Sequence, residues 1–429
     1  MLTSATRSGL LAAGSGLLFA ACYAEPFGAE DLDLPVLAVL DGDGLRLQAG
    51  DAELDGALEP AAEWDRPLAD HVLSYEFVDD RGEVLRAGVV PDPRHVRSEW
   101  DDGDGMRGRE DMDSAGAAGI WLPQVPGEVR IYEDLKTDGE PLASASLSLG
   151  ADPDDIGRIS QPLASISDLR RTPRRIYGSL PHGQGIDILF VPDGFRQGEL
   201  GEFRRAAEEM MVDMFAEKPE FRRYEDRFNA WAIEIPSTQS GISIPSEGIE
   251  RTTAFETYVN EHNALRSPTL GYSAATYLRL RWRMELVVVV VNGRDHRGSA
   301  QGNLVRMPIR DTKHHTFAHE LGHAIFGLAD EYAFEPSCTF TRRLRNRLRP
   351  NVDNTANRSR VKWSHLIDNA TPVPTDGSSA HRDAVGAFEG AGTCESGWYR
   401  PQHTCTMRSV RQSMCDVCQA EMDRVMRSL

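Results

Sequence analysis

The chain has 429 residues, of which 40% are hydrophobic and 26% charged, which fits a globular chain and not a disordered one and allows two domains with separate cores. Its formal charge of −19 repels polyanions, so nucleic acid and anionic membrane surfaces are not expected partners.

In chain order, Arg7 precedes an apolar run from Leu10 to Ala21. The run is too short for a bilayer span and reads as part of a signal peptide over residues 1–24. Phe19-Ala20-Ala21-Cys22 resembles a bacterial lipoprotein cleavage site, making Cys22 a candidate lipid anchor, and a cut after Ala24 competes with it. No later stretch is long and apolar enough for a transmembrane segment. The expected location is outside a bacterial cytoplasm: secreted, periplasmic or lipid-anchored at the cell surface.

Residues 25–150 read as a β-rich domain. Leu34 to Leu47 carries an Asp-Gly turn at Asp41–Gly44, and His71 to Val90 predicts a hairpin reversing at Asp80-Arg81-Gly82. Trp121–Tyr132 and Ala143–Leu149 add strands, whereas the polar, glycine-rich run Asp101–Gly119 reads as a loop. Short strands with Gly and Asp turns point to a small sandwich. Residues 151–182 read as a linker.

From residue 183 the pattern changes. Gly185–Val191 predicts a buried strand, and Leu200–Phe215 a helix with Phe203, Ala207, Met210 and Met214 on one face. Phe228–Ile235 and Arg283–Val291 predict further strands, so the expected class is α+β, with a mixed sheet carrying helices. The arginines from Arg342 to Arg349 read as a solvated face.

The stretch from Thr316 to Tyr332 carries the chemistry. His319 and His323 are four apart, so one helix face presents both imidazoles. Neutral imidazoles suit Zn2+, and Glu320 beside the first can reach an attacking water as general base. Gly327 is placed to end the helix and reverse the chain, bringing Asp330 back as third ligand, with Glu331 as its alternative. His315 reads as a supporting or exposed histidine, His314 as exposed, and Asp193 and Asn354 as turn residues.

This segment resembles the metzincin signature, with one extra residue between His323 and Gly327 and Asp330 in place of the usual histidine. It is more similar to the IgA peptidase-like family of bacterial zinc metallopeptidases, through Gly327-Leu328-Ala329-Asp330-Glu331-Tyr332. Asn351–Thr355, Lys362-Trp363, Tyr399-Arg400-Pro401, Cys405–Arg408 and the pair Cys415 and Cys418 extend the resemblance over residues 180–429. It implies a metzincin-like zincin catalytic domain at 183–429 after the sandwich-like domain, with His319, His323 and Asp330 binding zinc. Glu320 would handle the proton, and Met407 would form a Met-turn floor under the metal. Tyr399 is a candidate oxyanion donor. Gly298 and Gly302 lie within a candidate substrate strand, Gly298–Met307, where they would permit close backbone approach and whose edge would pair with an extended peptide.

Beyond Cys22, five cysteines remain: Cys338, Cys394, Cys405, Cys415 and Cys418. In an exported chain they predict disulfides stapling this region, with one thiol left over. Cys415 and Cys418 also fit a redox pair or half a zinc knuckle, but no second such pair exists. The expected activity is zinc-dependent endopeptidase action on a protein or peptide substrate. Two rivals stay open: a surface glycan- or protein-binding module with a structural metal, and a zinc hydrolase of non-peptide amides.

Overall fold

The computed structural model describes residues 34–41, 44–49, 72–101, 106–112, 116–123, 125–133, 140–147, 171–294, 296–309, 315–336, 338–378 and 380–428. The signal peptide, Cys22, His314 and most of the expected linker lie outside these residues. Among the described residues no helix is long and apolar enough to cross a membrane.

The N-terminal strands are β1 (Leu34–Asp41), β2 (Gly44–Ala49), β3 (Val72–Val78), β4 (Val84–Pro91), β5 (His95–Asp101), β6 (Met106–Met112), β7 (Gly116–Leu122), β8 (Gly127–Glu133) and β9 (Ala143–Leu147). Seven of them form two antiparallel sheets, ordered β2-β1-β7 and β4-β3-β8-β9. Alternate residues supply a shared apolar cluster: Val36, Ala38 and Leu40 from β1, and Leu73, Tyr75 and Phe77 from β3. The expected hairpin over residues 71–90 is β3–β4, with Gly82 in the left-handed region at φ 79°.

The other two strands go elsewhere. β5 and β6 pair with each other, and β5 joins a larger sheet through β16 (Ser299–Gln301). The run Asp101–Gly119 therefore holds β6 and the start of β7 rather than a continuous loop. β6 is a terminal strand of its sheet, and an edge strand gains its hydrogen bonds from the backbone with no need for an apolar stripe. That is why Arg107, Arg109 and Glu110 hid it.

The larger sheet has eight strands, ordered β10-β12-β11-β15-β17-β16-β5-β6. Its remaining members are β10 (Arg174–Tyr177), β11 (Ile186–Asp193), β12 (Phe228–Ala232), β15 (Leu286–Val291) and β17 (Leu304–Pro308). A two-residue pair, β13 (Tyr258–Val259) and β14 (Leu265–Arg266), lies outside it. β12, β11, β15 and β17 run parallel, and β11 and β15 are buried along their whole length. Such strands read as unbroken apolar runs because both faces are covered. One face packs Ile188, Phe190, Val288 and Val290 against Phe203, Met210 and Met214 of α1 (Leu200–Glu217). A short helix, α2 (Pro219–Arg222), follows α1. The opposite face packs Leu189, Val191, Val287 and Val289 against Tyr277 and Leu278 of α3 (Thr269–Arg281). Val39 of β1 joins that second cluster, so the N-terminal sheet seats on α3. Gly119 permits the approach, since a Cβ there would lie 2.3 Å from Leu280.

α4 (His315–Ala324) lies on the α1 face, where Phe317 and Leu321 join the cluster. Beyond it come β18 (Ala333–Glu335), α5 (Phe340–Leu348), β19 (Phe388–Ala391), β20 (Thr393–Arg400) and α6 (Asp416–Arg427), with a three-stranded sheet ordered β18-β20-β19. The fold is thus mixed α+β. Cys338 and Cys394 form a disulfide. Cys405, Cys415 and Cys418 are free and buried, so three thiols stand outside disulfides where the odd count left one.

Candidate metal centre

α4 presents His319 and His323 one turn apart, as their spacing predicts. Gly322 between them lets the helix rest on Met407: a Cβ at Gly322 would come within 2.6 Å of the Met407 sulfur. Just past the helix, Gly327 takes φ 61°, a left-handed conformation that only glycine adopts without strain. Its N–H donates to His323 O at 3.1 Å, and the chain then turns back.

This reversal fixes the imidazoles. His323 Nδ1 lies 2.7 Å from Leu328 O, and His319 Nδ1 lies 3.0 Å from Thr406 O. Carbonyl oxygens only accept, so each Nδ1 carries the proton and each Nε2 keeps its lone pair. The two Nε2 atoms are 3.0 Å apart. Asp330 Oδ1 completes a triangle at 3.4 Å from His319 Nε2 and 3.2 Å from His323 Nε2. Ligands held tetrahedrally at zinc distances stand about 3.3 Å apart, so this donor set fits the ion. The burial of all three, at 0%, 6% and 3% exposure, leaves little solvent to compete.

Asp330 is positioned from several directions. Its carbonyl accepts from Gly392 N at 2.8 Å, and its Oδ2 accepts from Arg97 Nη1 at 2.9 Å. Burial opposes its ionisation, but the Arg97 charge and the two histidines outweigh that and hold the carboxyl well below the usual range. Arg97 Nη2 also lies 3.8 Å from Glu320 Oε2. Sequence reasoning missed Arg97, and no local signal could have found it: it sits on β5, 233 residues before Asp330.

Glu331, the alternative to Asp330, faces another way. Its Oε1 lies 3.2 Å from Cys418 Sγ and 3.5 Å from Cys415 Sγ. Asn351 divides the two neighbours: it exchanges hydrogen bonds with the Ala329 backbone at 2.7 and 2.8 Å and donates to Glu331 Oε1 at 3.0 Å. Burial pushes the Glu331 carboxyl well above its usual range, and the Cys405 sulfur adds to the effect.

Met407 is fully buried, and its carbonyl accepts from Glu331 N at 2.8 Å. Buried Lys218 braces the same turn, donating to Thr406 Oγ1 at 3.1 Å, Val410 O at 2.7 Å and Gln412 O at 2.5 Å. Lys218 precedes α2 and was not singled out in the sequence.

Other sequence-predicted residues fall as follows. Tyr399 is half-buried on β20, paired in register with Glu389 and, through its backbone, with Asp353. Gly302, at φ 56°, makes the turn between β16 and β17, and Gly298 precedes β16. The outer edge of β16 is not open, because Ser299 and Ala300 pair with Ser98 and Arg97 of β5. His315 opens α4 with Nδ1 3.1 Å from Glu217. Asp193, expected as a turn residue, ends β11 fully buried and ties it to a distant segment, accepting from Phe255 N at 2.9 Å and Thr257 N at 2.8 Å.

No curated protein matches the chain. The family model described as IgA Peptidase M64 matches residues 175–383 and 376–426, which takes in the large sheet apart from β5 and β6, together with α4, the Asp330 turn and all three free cysteines. With more than half its length matched, the chain belongs to the IgA Peptidase M64 family of metallopeptidases.

Proposed function

We propose that this peptidase is a zinc metalloendopeptidase, exported from a bacterial cell, that hydrolyses peptide bonds. The convergence of His319 Nε2, His323 Nε2 and Asp330 Oδ1, with both Nδ1 protons committed to carbonyls, carries this reading. Two imidazoles and a carboxylate suit zinc better than a hard, oxygen-seeking ion, and three protein ligands leave a fourth position open. In this reading His319, His323 and Asp330 hold the ion, in preference to Glu331. Bound zinc supplies Lewis-acid chemistry at neutral pH. Glu320 takes the proton of the attacking water and passes it to the leaving amine. Met407 is the Met-turn floor and not a ligand, and Tyr399 is the candidate donor to the developing oxyanion.

The same reading puts a signal peptide at 1–24, a sandwich-like domain at 25–150, a linker at 151–182 and a metzincin-like catalytic domain at 183–429, except that β10 (Arg174–Tyr177), inside the expected linker, already belongs to the large sheet. Cys22 remains the candidate anchor. The stretch Gly298–Met307 is the substrate-facing strand, and an extended peptide reaches its outer edge by taking the place of β5.

Glu320→Gln tests the proposal. It should lower cleavage of an unstructured protein by about 10²–10⁴-fold, the usual worth of a general base, with zinc content unchanged. Unchanged cleavage would remove Glu320 from the mechanism. A zinc-loaded wild type that cuts nothing in a proteome-derived peptide library would favour a binding module.

A further inference from the structure

The residues around Glu331 form a second cluster that the peptidase chemistry does not use. Glu331, Cys405, Cys415 and Cys418 are all buried, and their candidate ligand atoms lie within 4.8 Å of one another. We propose that these four side chains form a closed tetrahedral site for a second, structural zinc ion.

The spacing supports a metal over a disulfide. Cys405 and Cys418 Sγ are 3.7 Å apart, whereas a disulfide needs about 2.05 Å. Two thiolates bound tetrahedrally at about 2.3 Å stand about 3.8 Å apart. A thiolate and a carboxylate oxygen on the same ion stand about 3.5 Å apart. Cys415 and Cys418 lie 3.5 and 3.2 Å from Glu331 Oε1. The disulfide found among the described residues is elsewhere, at Cys338 and Cys394, and three thiols cannot all pair among themselves.

The sulfurs are also placed as acceptors. Cys405 Sγ accepts from Met407 N and Cys415 N, each at 3.4 Å, and Cys415 Sγ accepts from Cys418 N at 3.5 Å. Backbone N–H groups aimed at sulfur favour the thiolate, the form that binds metal. Glu331 Oε2 is buried with no hydrogen-bond partner among the described residues. Such a polar atom needs an explanation, and a cation supplies one. Three soft thiolates with one carboxylate select zinc over calcium or magnesium, and four protein ligands leave no position for substrate.

Such an ion would join three pieces of chain: the segment that carries Asp330, the turn that carries Met407, and the start of α6. It would therefore set the position of the catalytic ligand next to Glu331 without touching substrate.

Metal analysis of the full chain tests this. Wild type should hold two zinc ions per chain. His319→Ala should keep one, and its cobalt-substituted form should show a thiolate-to-cobalt charge-transfer band. Cys418→Ser should lose that band and one ion while keeping the other. One zinc per wild-type chain, with no thiolate band in cobalt-loaded His319→Ala, would overturn the proposal. So would an intact mass showing a disulfide between any two of Cys405, Cys415 and Cys418. The wild-type and His319→Ala measurements stand even if Cys418→Ser fails to fold. A wild type whose cobalt-substituted form shows the thiolate band yet cleaves no peptide would count against the catalytic reading alone.

Discussion

Arg97 links the N-terminal strands to the metal centre, and its removal has an expected energetic signature. Its guanidinium lies 2.9 Å from Asp330 Oδ2, with both side chains buried. Arg97→Met removes the charge and keeps most of the apolar stem. Stranding one partner of a buried ion pair costs about 3–5 kcal/mol. In the metal-free protein that cost is felt in full, because Asp330 loses its cation. With zinc bound, the ion offsets the Asp330 charge, and the loss falls to that of a charged hydrogen bond, about 1.5–3 kcal/mol. By the thermodynamic cycle, the difference of about 2 kcal/mol must appear as tighter zinc binding by the variant, on the order of 30-fold. Urea unfolding of both proteins, with chelator and with saturating zinc, measures the two losses. Competition with a chromophoric chelator measures the affinity independently. Any ion at the thiol cluster is common to both proteins and cancels. An equal loss of stability with and without zinc, or weaker zinc binding by Arg97→Met, would refute the reasoning.

Ser98 and Ser299 face each other across β5 and β16, so the double variant Ser98→Cys/Ser299→Cys can lock the hairpin over the strand edge. The oxidised double variant should lose protein cleavage and regain it on mild reduction, with reductant-treated wild type as control; full cleavage while locked would show that substrate does not use this edge. Glu285 is half-buried and accepts from Asp187 N at 2.6 Å; desolvation, with the Asp187 charge, raises its carboxyl pKa to about 8. The unfolded chain ionises near 4.3, so Glu285 costs stability progressively as pH rises from about 4.3 to 8, with a slope of up to about 1.4 kcal/mol per pH unit. Glu285→Gln should flatten that part of the stability–pH curve, and an unchanged slope would count against the assignment. The Cys338–Cys394 bridge spans a sequence separation of 56. Replacing both cysteines by serine should cost about 4 kcal/mol from restored chain freedom, read as a lower denaturation midpoint.

The parts of this protein legible in its sequence are those governed by neighbours along the chain. The i,i+4 spacing alone puts His319 and His323 on one face of α4, and Gly327 alone permits the left-handed turn beyond it. The apolar runs of β11 and β15 announce strands covered on both faces, because no other placement buries every side chain. Alternation did the same for β1 and β3. β6 was not legible, since an edge strand owes its place to backbone pairing and not to side-chain pattern.

What packing decided lies between residues far apart in the chain. Asp330 and Glu331 are adjacent carboxylates that spacing could not separate. The Asn351 clamp and the Arg97 ion pair turn one toward the imidazoles and the other toward the sulfurs. The three free cysteines looked like disulfide partners because sequence counts thiols but not the distances between them. β5 covers the edge expected to be open because a hairpin from the N-terminal strands crosses to the large sheet. Local chemistry thus determined which side chains one helical turn presents, and long-range burial determined what faces them, because a buried charge or sulfur is placed by whatever the rest of the fold brings within a few ångströms.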